Sequence, residues 1–439
     1  MVFDTTILGS NPSAPAKIMI KKIFNNLLSQ KLKKILFPFY KSKEISFIFD
    51  VLEKDKPKNK KVAMFVGGCV RNYILYKKID DIDIATILIP KEIKKKFENT
   101  NVKIIETGIE HGSITLLLNN FKFELTTLRR DIKTDGRFAE ISYSDDWEED
   151  SGRRDITINA IYLDRKGKIY DPQSGLKDLN SNKVKFIGDP SKRIQEDYLR
   201  IIRFLRFALK YDSNTDQLTI EALKLNLNGI KFLSKERVLN ELFKILKLTN
   251  FKNIFKHPNK KLIFLLIFPE LKYLDRYKKI DLIQNLKIDI NLTLAILLID
   301  GTVNHEYFCH KYKVSNEIKD YLSILSKNFL DCRKDKNYFK KDLSKNIYYL
   351  GKDTVKNLAK LMFFVNKNAL EKEIRKSLDI IEKNNIPKFP FDGKYLINLG
   401  LSEGRNIGKA IKILEKEWVE NKFFIKDSRA QEIIKKVKN

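Results

Sequence analysis

The chain has 439 residues, and its 85 Lys and Arg against 56 Asp and Glu give a formal net charge of +29 at pH 7. Hydrophobic residues make up 43%, which is typical of a globular protein and argues against a mostly disordered chain. The positive net charge favours a polyanionic partner, of which nucleic acid is the first candidate. Lysines spread over solvated faces would give the same net charge. Three scattered cysteines and four histidines argue against a disulfide framework and against a zinc site.

Two features bear on location. No apolar run approaches the roughly 20 residues that a membrane helix needs, and the first 60 residues contain no Arg and no signal-peptide pattern. We therefore expect a soluble, cytoplasmic protein with no membrane attachment and no stable protein partner.

The apolar pattern changes along the chain. Residues 1–60 form a basic N-terminal extension. From 61 to 190, short β-rich runs alternate with turns and predict one mixed α/β domain. The predicted strands cover 62–66, 79–84, 113–118, 121–128 and 158–163. From 191 to the end, apolar residues recur with the helical period, so this part is predicted to be helical.

The first chemical pattern, within 62–86, is a strand, a Gly-Gly pair, a helix and a second strand with two aspartates. Gly67 and Gly68 lack a Cβ atom, so the backbone there can approach a phosphate closely. Asp81 and Asp83 are two residues apart, which in a strand places both carboxylates on one face. Such a pair repels unless a cation lies between, and oxygen ligands select Mg²⁺. Taken alone, a Gly-Gly pair is more often a plain turn, and an Asp-x-Asp pattern is more often a solvated strand end.

A third carboxylate follows on a later strand. In the stretch 121–128, Phe123 and Leu125 face one way while Lys122, Glu124 and Thr126 face the other. If that strand lies beside Asp81 and Asp83, Glu124 would complete a site that activates a hydroxyl and neutralises a departing pyrophosphate. The alternative is a salt-bridged sheet surface.

The segment 151–164 carries four candidate ligand residues. Arg153 and Arg154 are fork donors suited to phosphate or sugar oxygens. Asp155 and Asn159 are suited to a ribose hydroxyl. An ordinary charged surface would explain the same residues.

The segment 196–207 suggests how a base is chosen. On a helix, Asp197 and Arg200 are neighbours on one face, so together they offer an acceptor and several donors. Cytosine and adenine present an amino donor beside a ring-nitrogen acceptor, which fits such a pair, whereas uracil and guanine do not. An intrahelical ion pair is the ordinary explanation of this spacing.

These motifs together resemble the class II branch of the nucleotidyltransferase superfamily, which contains CCA-adding tRNA nucleotidyltransferases and bacterial poly(A) polymerases. The matching segments, in order, are GGCVRN with DID, RRDITINA, YDPQSGLKDL, EDYLRIIRFLRF and SKERVLNELFKIL. The resemblance implies an α+β protein. Its mixed-sheet, polymerase beta-like head would span 61–190, followed by an all-helical neck at 191–250 and a tRNA-binding body and tail at 251–439.

The resemblance also implies residue roles. These are metal binding for Asp81 and Asp83; catalysis for the same pair with Glu124; nucleotide binding for Gly67, Gly68, Arg71, Arg153, Arg154, Asp155 and Asn159; base selection for Asp197 and Arg200; and support for Glu196, Arg203, Glu236 and Arg237. Two positions depart from the family pattern. Asn72 stands where an Asp is usual, and Arg137 stands alone in a loop where two arginines are common and where C or A addition is thought to be switched.

Within the branch, the stretch 107–127 resembles the CCA-adding form, and the basic element typical of poly(A) polymerases is not seen. We therefore expect Mg²⁺-dependent addition of C, C and A to tRNA from CTP and ATP, with release of pyrophosphate. A CC-adding or A-adding enzyme, a poly(A) polymerase, and a non-catalytic RNA-binding protein remain as alternatives.

Overall fold

The computed structural model describes residues 38–57, 60–106, 108–135, 138–283, 286–335, 337–402 and 404–438. The chain divides into two compact units, the first ending at Leu233 and the second starting at Ser234. Residues 1–37 of the predicted extension, and Arg137, lie outside the described residues. The division into extension, head, neck, and body with tail stays a prediction.

The first unit is built on a mixed sheet. Its strands are β1 (Ala63–Val66), β2 (Ile82–Thr86), β3 (Lys103–Ile105), β4 (Ser113–Leu118), β5 (Phe121–Thr127), β8 (Tyr162–Leu163) and β9 (Ile169–Tyr170). The sheet order is β3-β4-β5-β2-β1-β8-β9. All described neighbours in it are antiparallel except β2 and β5, which are parallel. A separate antiparallel pair is formed by β6 (Arg129–Asp135) and β7 (Phe138–Tyr143).

Alternation along β5 follows the pleat of a strand. Phe123 and Leu125 are fully buried, whereas Lys122 and Glu124 between them are exposed. Successive side chains of a strand point to opposite faces, so one face of β5 joins the core and the other carries its charged groups. The prediction that Glu124 lies on a polar face is confirmed.

The helices of the first unit are α1 (Lys43–Glu53), α2 (Gly68–Ile74), α3 (Pro90–Phe97), α4 (Trp147–Gly152), α5 (Gly175–Asn180), α6 (Pro190–Glu196), α7 (Leu199–Lys210) and α8 (Gln217–Leu225). In α1, Ile45, Ile48, Phe49 and Leu52 are buried at helical spacing. The ring of Phe49 lies 4.7 Å from that of Phe65 in β1. Residues 43–53 therefore belong to the core of this unit.

The second unit is helical. Its helices are α9 (Lys235–Leu246), α10 (Pro258–Ile267), α11 (Ile290–Leu298), α12 (Asn304–Tyr312), α13 (Asn316–Lys334), α14 (Leu343–Leu350), α15 (Lys352–Val365), α16 (Glu371–Lys383), α17 (Gly393–Asn398), α18 (Arg405–Glu420) and α19 (Asp427–Lys438). No strand occurs among the described residues from 234 onward. Across the described ranges, no helix has both the length and the apolar composition that crossing a bilayer requires. The predicted fold class is confirmed.

Two strand predictions were wrong in detail. The strand predicted at 79–84 starts at Ile82, so Asp81 lies just before it. The strand predicted at 158–163 is a 3-10 turn at Thr157–Asn159 followed by the two-residue β8. Ile156, Ile158 and Ile161 are all buried there, and a continuous buried run does not distinguish a strand from a buried turn.

Candidate active site

Two carboxylates are direct neighbours in the sheet. Asp83 of β2 and Glu124 of β5 are partners in the parallel register. Asp83 is half-buried, and burial, followed by the charge of Glu124, raises the pKa of its carboxyl. Glu124 is exposed and forms an ion pair with Lys122. The hydrogen bond and charge of Glu124 raise the pKa of Lys122. The structure therefore brings two of the three predicted carboxylates together.

Asp81 is placed differently from Asp83. It is exposed and precedes β2, and its charge makes a smaller contribution to the raised pKa of Asp83. Among the described residues, no group of three or more His, Cys, Asp or Glu side chains is arranged to hold a metal ion. The two adjacent carboxylates are therefore those of Asp83 and Glu124.

The Gly-Gly pair lets the chain turn onto Asp83. Gly67 has a φ of +73°, and a Cβ atom built on it would lie 3.2 Å from Oδ2 of Asp83. The amide of Gly68 donates a hydrogen bond to the same oxygen at 3.4 Å. A left-handed backbone and a close approach both favour glycine. The first amide of the short α2 thus contacts the carboxylate of Asp83.

Arg71 connects this turn to the segment predicted to bind ribose. Arg71 is buried, and its Nη1 donates to Oδ1 of Asn159. Nδ2 of Asn159 donates to Oδ1 of Asp155 at 2.6 Å. Arg203 donates to Oδ2 of Asp155 from Nε at 2.8 Å and approaches it with Nη2 at 2.7 Å. Predicted residues of three motifs therefore form one buried chain of hydrogen bonds.

Asp155 is the anion of this chain of hydrogen bonds. Burial alone would raise the pKa of Asp155, but the charge of Arg203 and the hydrogen bond from Asn159 hold it far below its usual range. Asp155 is therefore ionised at neutral pH. Nε of Arg71 is buried and has no hydrogen-bond partner among the described residues, and the guanidinium carbon lies 5.0 Å from the ring centre of Phe207.

A cavity of about 360 Å³ adjoins the carboxylates. It is lined by Val66, Gly67, Asp83, Ile84, Ser113, Glu124, Thr126, Arg129, Arg153 and Arg154. Two predicted carboxylates and two predicted phosphate-binding arginines thus meet at one surface. Arg129, Ser113 and Thr126 also line this cavity and were not predicted to contribute to the site.

Asp150 was also missed by sequence reasoning. It is fully buried in α4, and both Arg153 and Arg154 form ion pairs with it, at 2.6 and 3.0 Å. The signal was present in the sequence, because residues three and four apart meet on a helix.

The residues predicted to select the base do not share a helix. Asp197 is extended, with φ −155° and ψ 106°, between α6 and α7. Its Oδ1 accepts a hydrogen bond from the amide of Leu199 at 3.1 Å. The helical spacing assumed for Asp197 and Arg200 was therefore wrong, because the helix is interrupted at this position.

Arg200 itself is held by several acceptors. Its Nη1 donates to Oε2 of Glu196 and, at 3.1 Å, to the carbonyl of Arg193, while Nη2 donates to the carbonyl of Arg153 at 3.3 Å. Glu196 also accepts from Arg193 at 2.9 Å. The supporting position predicted for Glu196 fits this arrangement, and the role in base selection stays a prediction.

Three of the residues singled out in the sequence remain, and local hydrogen bonds involve Arg237 and Asn72. Glu236 and Arg237 lie in the first turn of α9 in the second unit, where the amide of Arg237 donates to Oγ of Ser234. Nδ2 of Asn72 donates to the carbonyl of Lys78 at 2.8 Å. Asn72 thus ties the end of α2 to the following loop.

Comparisons with known proteins agree on one family. Residues 63–185 match the family described as the poly A polymerase head domain. A CCA tRNA nucleotidyltransferase 1, mitochondrial, from Danio rerio is 31% identical over 427 residues, which cover 93% of this chain and 96% of that protein. The protein of the same name from Homo sapiens is 30% identical over 385 residues, with 84% and 86% covered.

Solved structures show the same fold. The Bacillus stearothermophilus CCA-adding enzyme in complex with CTP is similar with a TM-score of 0.66 and 20% identity, covering 90% of this chain and 98% of that one. A Thermotoga maritima CCA-adding enzyme complexed with tRNA is similar with a TM-score of 0.60 and 21% identity, covering 92% and 97%. The length and identity of the match to the Danio rerio protein place the chain in a branch of the superfamily, as the motifs predict. The chain belongs to the family of CCA tRNA nucleotidyltransferases.

Proposed function

We propose that this protein adds C, C and A to the 3′ end of tRNA, using CTP and ATP and no nucleic-acid template. The observation that carries the proposal is the pairing of Asp83 with Glu124 at a cavity that Arg153 and Arg154 also line. The similarity over 96% of the Danio rerio relative supports CCA addition within the wider class of nucleotidyl transfer.

In the proposed reaction, the 3′-hydroxyl of the tRNA attacks the α-phosphorus of the nucleotide. The new phosphorus–oxygen bond forms as the bond to the pyrophosphate oxygen breaks, and the hydroxyl proton passes to a carboxylate, for which Glu124 is the candidate. Arg153 and Arg154 direct fork donors at the triphosphate, a geometry that suits phosphate oxygens. Asp155 and Asn159 lie beside them and are the candidates for the ribose contact.

Nucleotidyltransferases of this kind use a divalent metal. The donor set fits such an ion, because Asp83 is held next to a second carboxylate that raises its pKa, and a cation relieves this repulsion. We propose Mg²⁺, held by Asp81 and Asp83 together with phosphates of the nucleotide, since Mg²⁺ is usually bound by one or two carboxylates and substrate phosphates. When bound, the ion would stabilise negative charge at the reacting phosphate.

The base would be read by Asp197 and Arg200. A carboxylate acceptor and a guanidinium donor together match the amino group and ring nitrogen shared by cytosine and adenine. The bonds from Arg200 to Glu196 and to the carbonyl of Arg153 fix its orientation next to the ribose segment, which supports this assignment.

The second unit would bind the tRNA backbone. A groove of about 600 Å³ between α18 and α19 is lined by Lys409, Lys412, Lys436 and Lys438, with Asn406, Ile413 and Val437. Removing a lysine that contacts phosphates weakens binding to all nucleic-acid sequences to a similar extent. Replacing Lys409 and Lys412 by Ala should raise the Kd for tRNA and make the salt dependence shallower. An unchanged salt dependence would exclude this groove from the contact surface.

The decisive experiment uses a tRNA transcript that lacks its last three nucleotides, with Mg²⁺ and with CTP and ATP separately and together. Products are read at single-nucleotide resolution. Two added nucleotides with CTP alone and three with both support the proposal. Addition of only two nucleotides when both CTP and ATP are present indicates a CC-adding enzyme, and a long ladder with ATP indicates a poly(A) polymerase. A second transcript that already ends in CC is tested beside the first, and extension of that transcript alone indicates an A-adding enzyme. Binding without any product indicates a non-catalytic RNA-binding protein.

A variant pair tests the carboxylates. Replacing both Asp81 and Asp83 by Ala should abolish transfer and leave tRNA binding largely intact. Asp80→Asn is the matched control, because Asp80 is the adjacent aspartate and is exposed in an ion pair with Lys78 at 2.6 Å. Transfer by the double variant at the rate of this control would exclude the metal assignment.

The cytoplasmic location is part of the proposal. The relatives from Danio rerio and Homo sapiens are named as mitochondrial proteins. Fractionation of cells that express the full chain would separate the two compartments.

A further inference from the structure

Asp150 is a buried carboxylate that forms ion pairs with two of the arginines lining the cavity. It lies in α4, whose first turn is capped by Asp146 through bonds from the amides of Glu148 and Glu149 at 2.8 and 3.3 Å. Asp150 has no exposed surface, and the adjacent Ser151 is also fully buried. Ionised carboxylates are seldom buried this completely unless they are paired.

Both oxygens of Asp150 are used. Oδ1 accepts from Nε and Nη2 of Arg153 at 2.9 and 2.6 Å. Oδ2 accepts from Nε and Nη2 of Arg154 at 3.2 and 3.0 Å, and from the hydroxyl of Tyr162 at 2.7 Å. One carboxylate therefore fixes two successive guanidinium groups and a buried phenol.

Asp150 carries its charge at neutral pH. Burial alone would raise its pKa, but the charges of Arg154 and Arg153 outweigh this effect and hold the pKa at about 2. The arrangement is charge-assisted on every side, and such hydrogen bonds are stronger than those between neutral groups.

The two arginines face the cavity that Asp83 and Glu124 line. A guanidinium has five N–H donors. Asp150 accepts from Nε and Nη2 of each arginine, and Nη1 of Arg154 donates to the carbonyl of Asn159 at 3.4 Å, so the N–H groups of Nη1 and Nη2 that these bonds do not use are left for a ligand. The carbonyl of Arg153 also accepts from Nη2 of Arg200 at 3.3 Å. The backbone that Asp150 holds in place therefore contacts the residue proposed to read the base.

We propose that Asp150 is a positioning residue that orients Arg153 and Arg154 toward the triphosphate of the incoming nucleotide. The inference rests on the proposed function, in which these arginines contact the nucleotide. Asp150 itself is buried behind them and acts only through them. Arginine side chains lose considerable rotamer freedom when they are ordered, and a site in which Asp150 has already ordered them binds phosphate at a smaller entropic cost.

The test compares Asp150→Asn with the full-length wild type for CTP and ATP. The expected result is a rise in KM for both nucleotides of roughly tenfold or more, with a smaller fall in kcat, since the lost bonds are charge-assisted. Glu148→Gln is the matched control, because it removes one acid from the exposed face of the same helix. An unchanged nucleotide KM in folded Asp150→Asn would overturn the proposal.

Two further measurements distinguish the positioning role of Asp150 from a purely structural role. Loss of folded protein lowers kcat and leaves KM as in the wild type, so that outcome would count against positioning. In a background with Arg153→Met and Arg154→Met, Asp150→Asn should change KM no further, because the groups it acts through are gone. A full additional effect in that background would contradict the inference.

Tyr162→Phe is the second variant if Asp150→Asn does not fold. It removes only the hydroxyl that donates to Asp150 and accepts from Nε of Arg154 at 3.1 Å. A smaller rise in nucleotide KM in this variant supports positioning, and an unchanged KM opposes it. Equilibrium dialysis of CTP against wild type and variants makes the same comparison without transfer, so failure of the proposed reaction is distinguished from failure of this inference.

Discussion

Asp155 offers a test of how much the buried charge network contributes to the first unit. Its Oδ2 is within 2.8 Å of both Nε and Nη2 of Arg203, and its Oδ1 accepts from Asn159 at 2.6 Å and from the amide of Ile156 at 2.9 Å. In Asp155→Asn, the one remaining side-chain oxygen can accept hydrogen bonds either from Arg203 or from Asn159, and the new NH₂ group faces the other of these two donors. Either Arg203 or Asn159 then loses its acceptor.

The magnitude follows from burial. Asp155 is 8% exposed, and removing one partner of a buried ion pair costs about 3–5 kcal/mol. The side chain of Arg203 is 33% exposed, so water can partly replace the lost acceptor, and we expect the lower end, about 3 kcal/mol. With a urea dependence of about 2 kcal/mol per molar, the midpoint of unfolding should fall by about 1.5 M.

The assay can be confined to the first unit. The chain has two tryptophans, Trp147 and Trp418, and Trp147 packs edge-on against Tyr162 with ring centres 5.5 Å apart. In a Trp418→Phe background, tryptophan fluorescence during urea unfolding reports on Trp147 alone. Asp145→Asn is the control, since Asp145 is exposed and paired with Lys60, and exposed pairs contribute little. A midpoint for Asp155→Asn equal to that of the control would refute the reasoning.

Three further predictions concern the site. In Gly67→Ala, a φ of +73° is combined with a Cβ atom 3.2 Å from Asp83. The substitution should lower the free energy of unfolding by about 1–3 kcal/mol and reduce nucleotide incorporation. Gly152→Ala is the control, because its Cβ atom would meet nothing within 4 Å, and it should change neither thermal unfolding nor incorporation. The lowered pKa of Asp150, about 2 against roughly 3.9 in an unfolded chain, stabilises the fold above pH ~4 and is lost as the pH falls toward 2. The stability gap between wild type and Asp150→Asn, measured by urea unfolding, should therefore stay constant from pH 7 to 5 and shrink below 4; a gap that widens in acid contradicts this sign. Arg200→Ala should lose the preference for CTP over UTP in single-nucleotide incorporation, and an unchanged preference removes Arg200 from base selection.

The sequence predicted the parts of the site that depend on local pattern. Period-two alternation placed Glu124 on a polar face, and the glycine pair before Asp83 marked a close backbone approach. The direct pairing of Glu124 with Asp83 was not derivable in this way, because β2 and β5 pair in parallel across 34 intervening residues. Only the hypothesis that the two strands are adjacent, not their register, could be stated in advance.

The interruption at Asp197 shows a second limit. The segment 196–200 contains neither Pro nor Gly, the residues that usually mark a helix end, and the apolar spacing around it suits a helix. The break is stabilised by a local bond from the amide of Leu199 to Asp197 and by a bond from Arg200 to the carbonyl of Arg153, 47 residues away, which no local pattern encodes. Asp150 escaped prediction for the opposite reason, since its helical spacing to the arginines was visible but resembled an ordinary ion pair.

Two buried acids explain how a strongly basic chain can hold ordered arginines in the unit that is proposed to bind the nucleotide. Asp150 forms ion pairs with Arg153 and Arg154, and Asp155 forms one with Arg203. The positive charge of each of these arginines is therefore compensated by a buried carboxylate. Without these acids the guanidinium groups would repel one another and turn toward water, as Coulomb interactions at short range are strong away from solvent. With them, the cations are held in place before any phosphate arrives. Nucleotide binding at the proposed site should therefore require little rearrangement of the arginines that the buried acids hold.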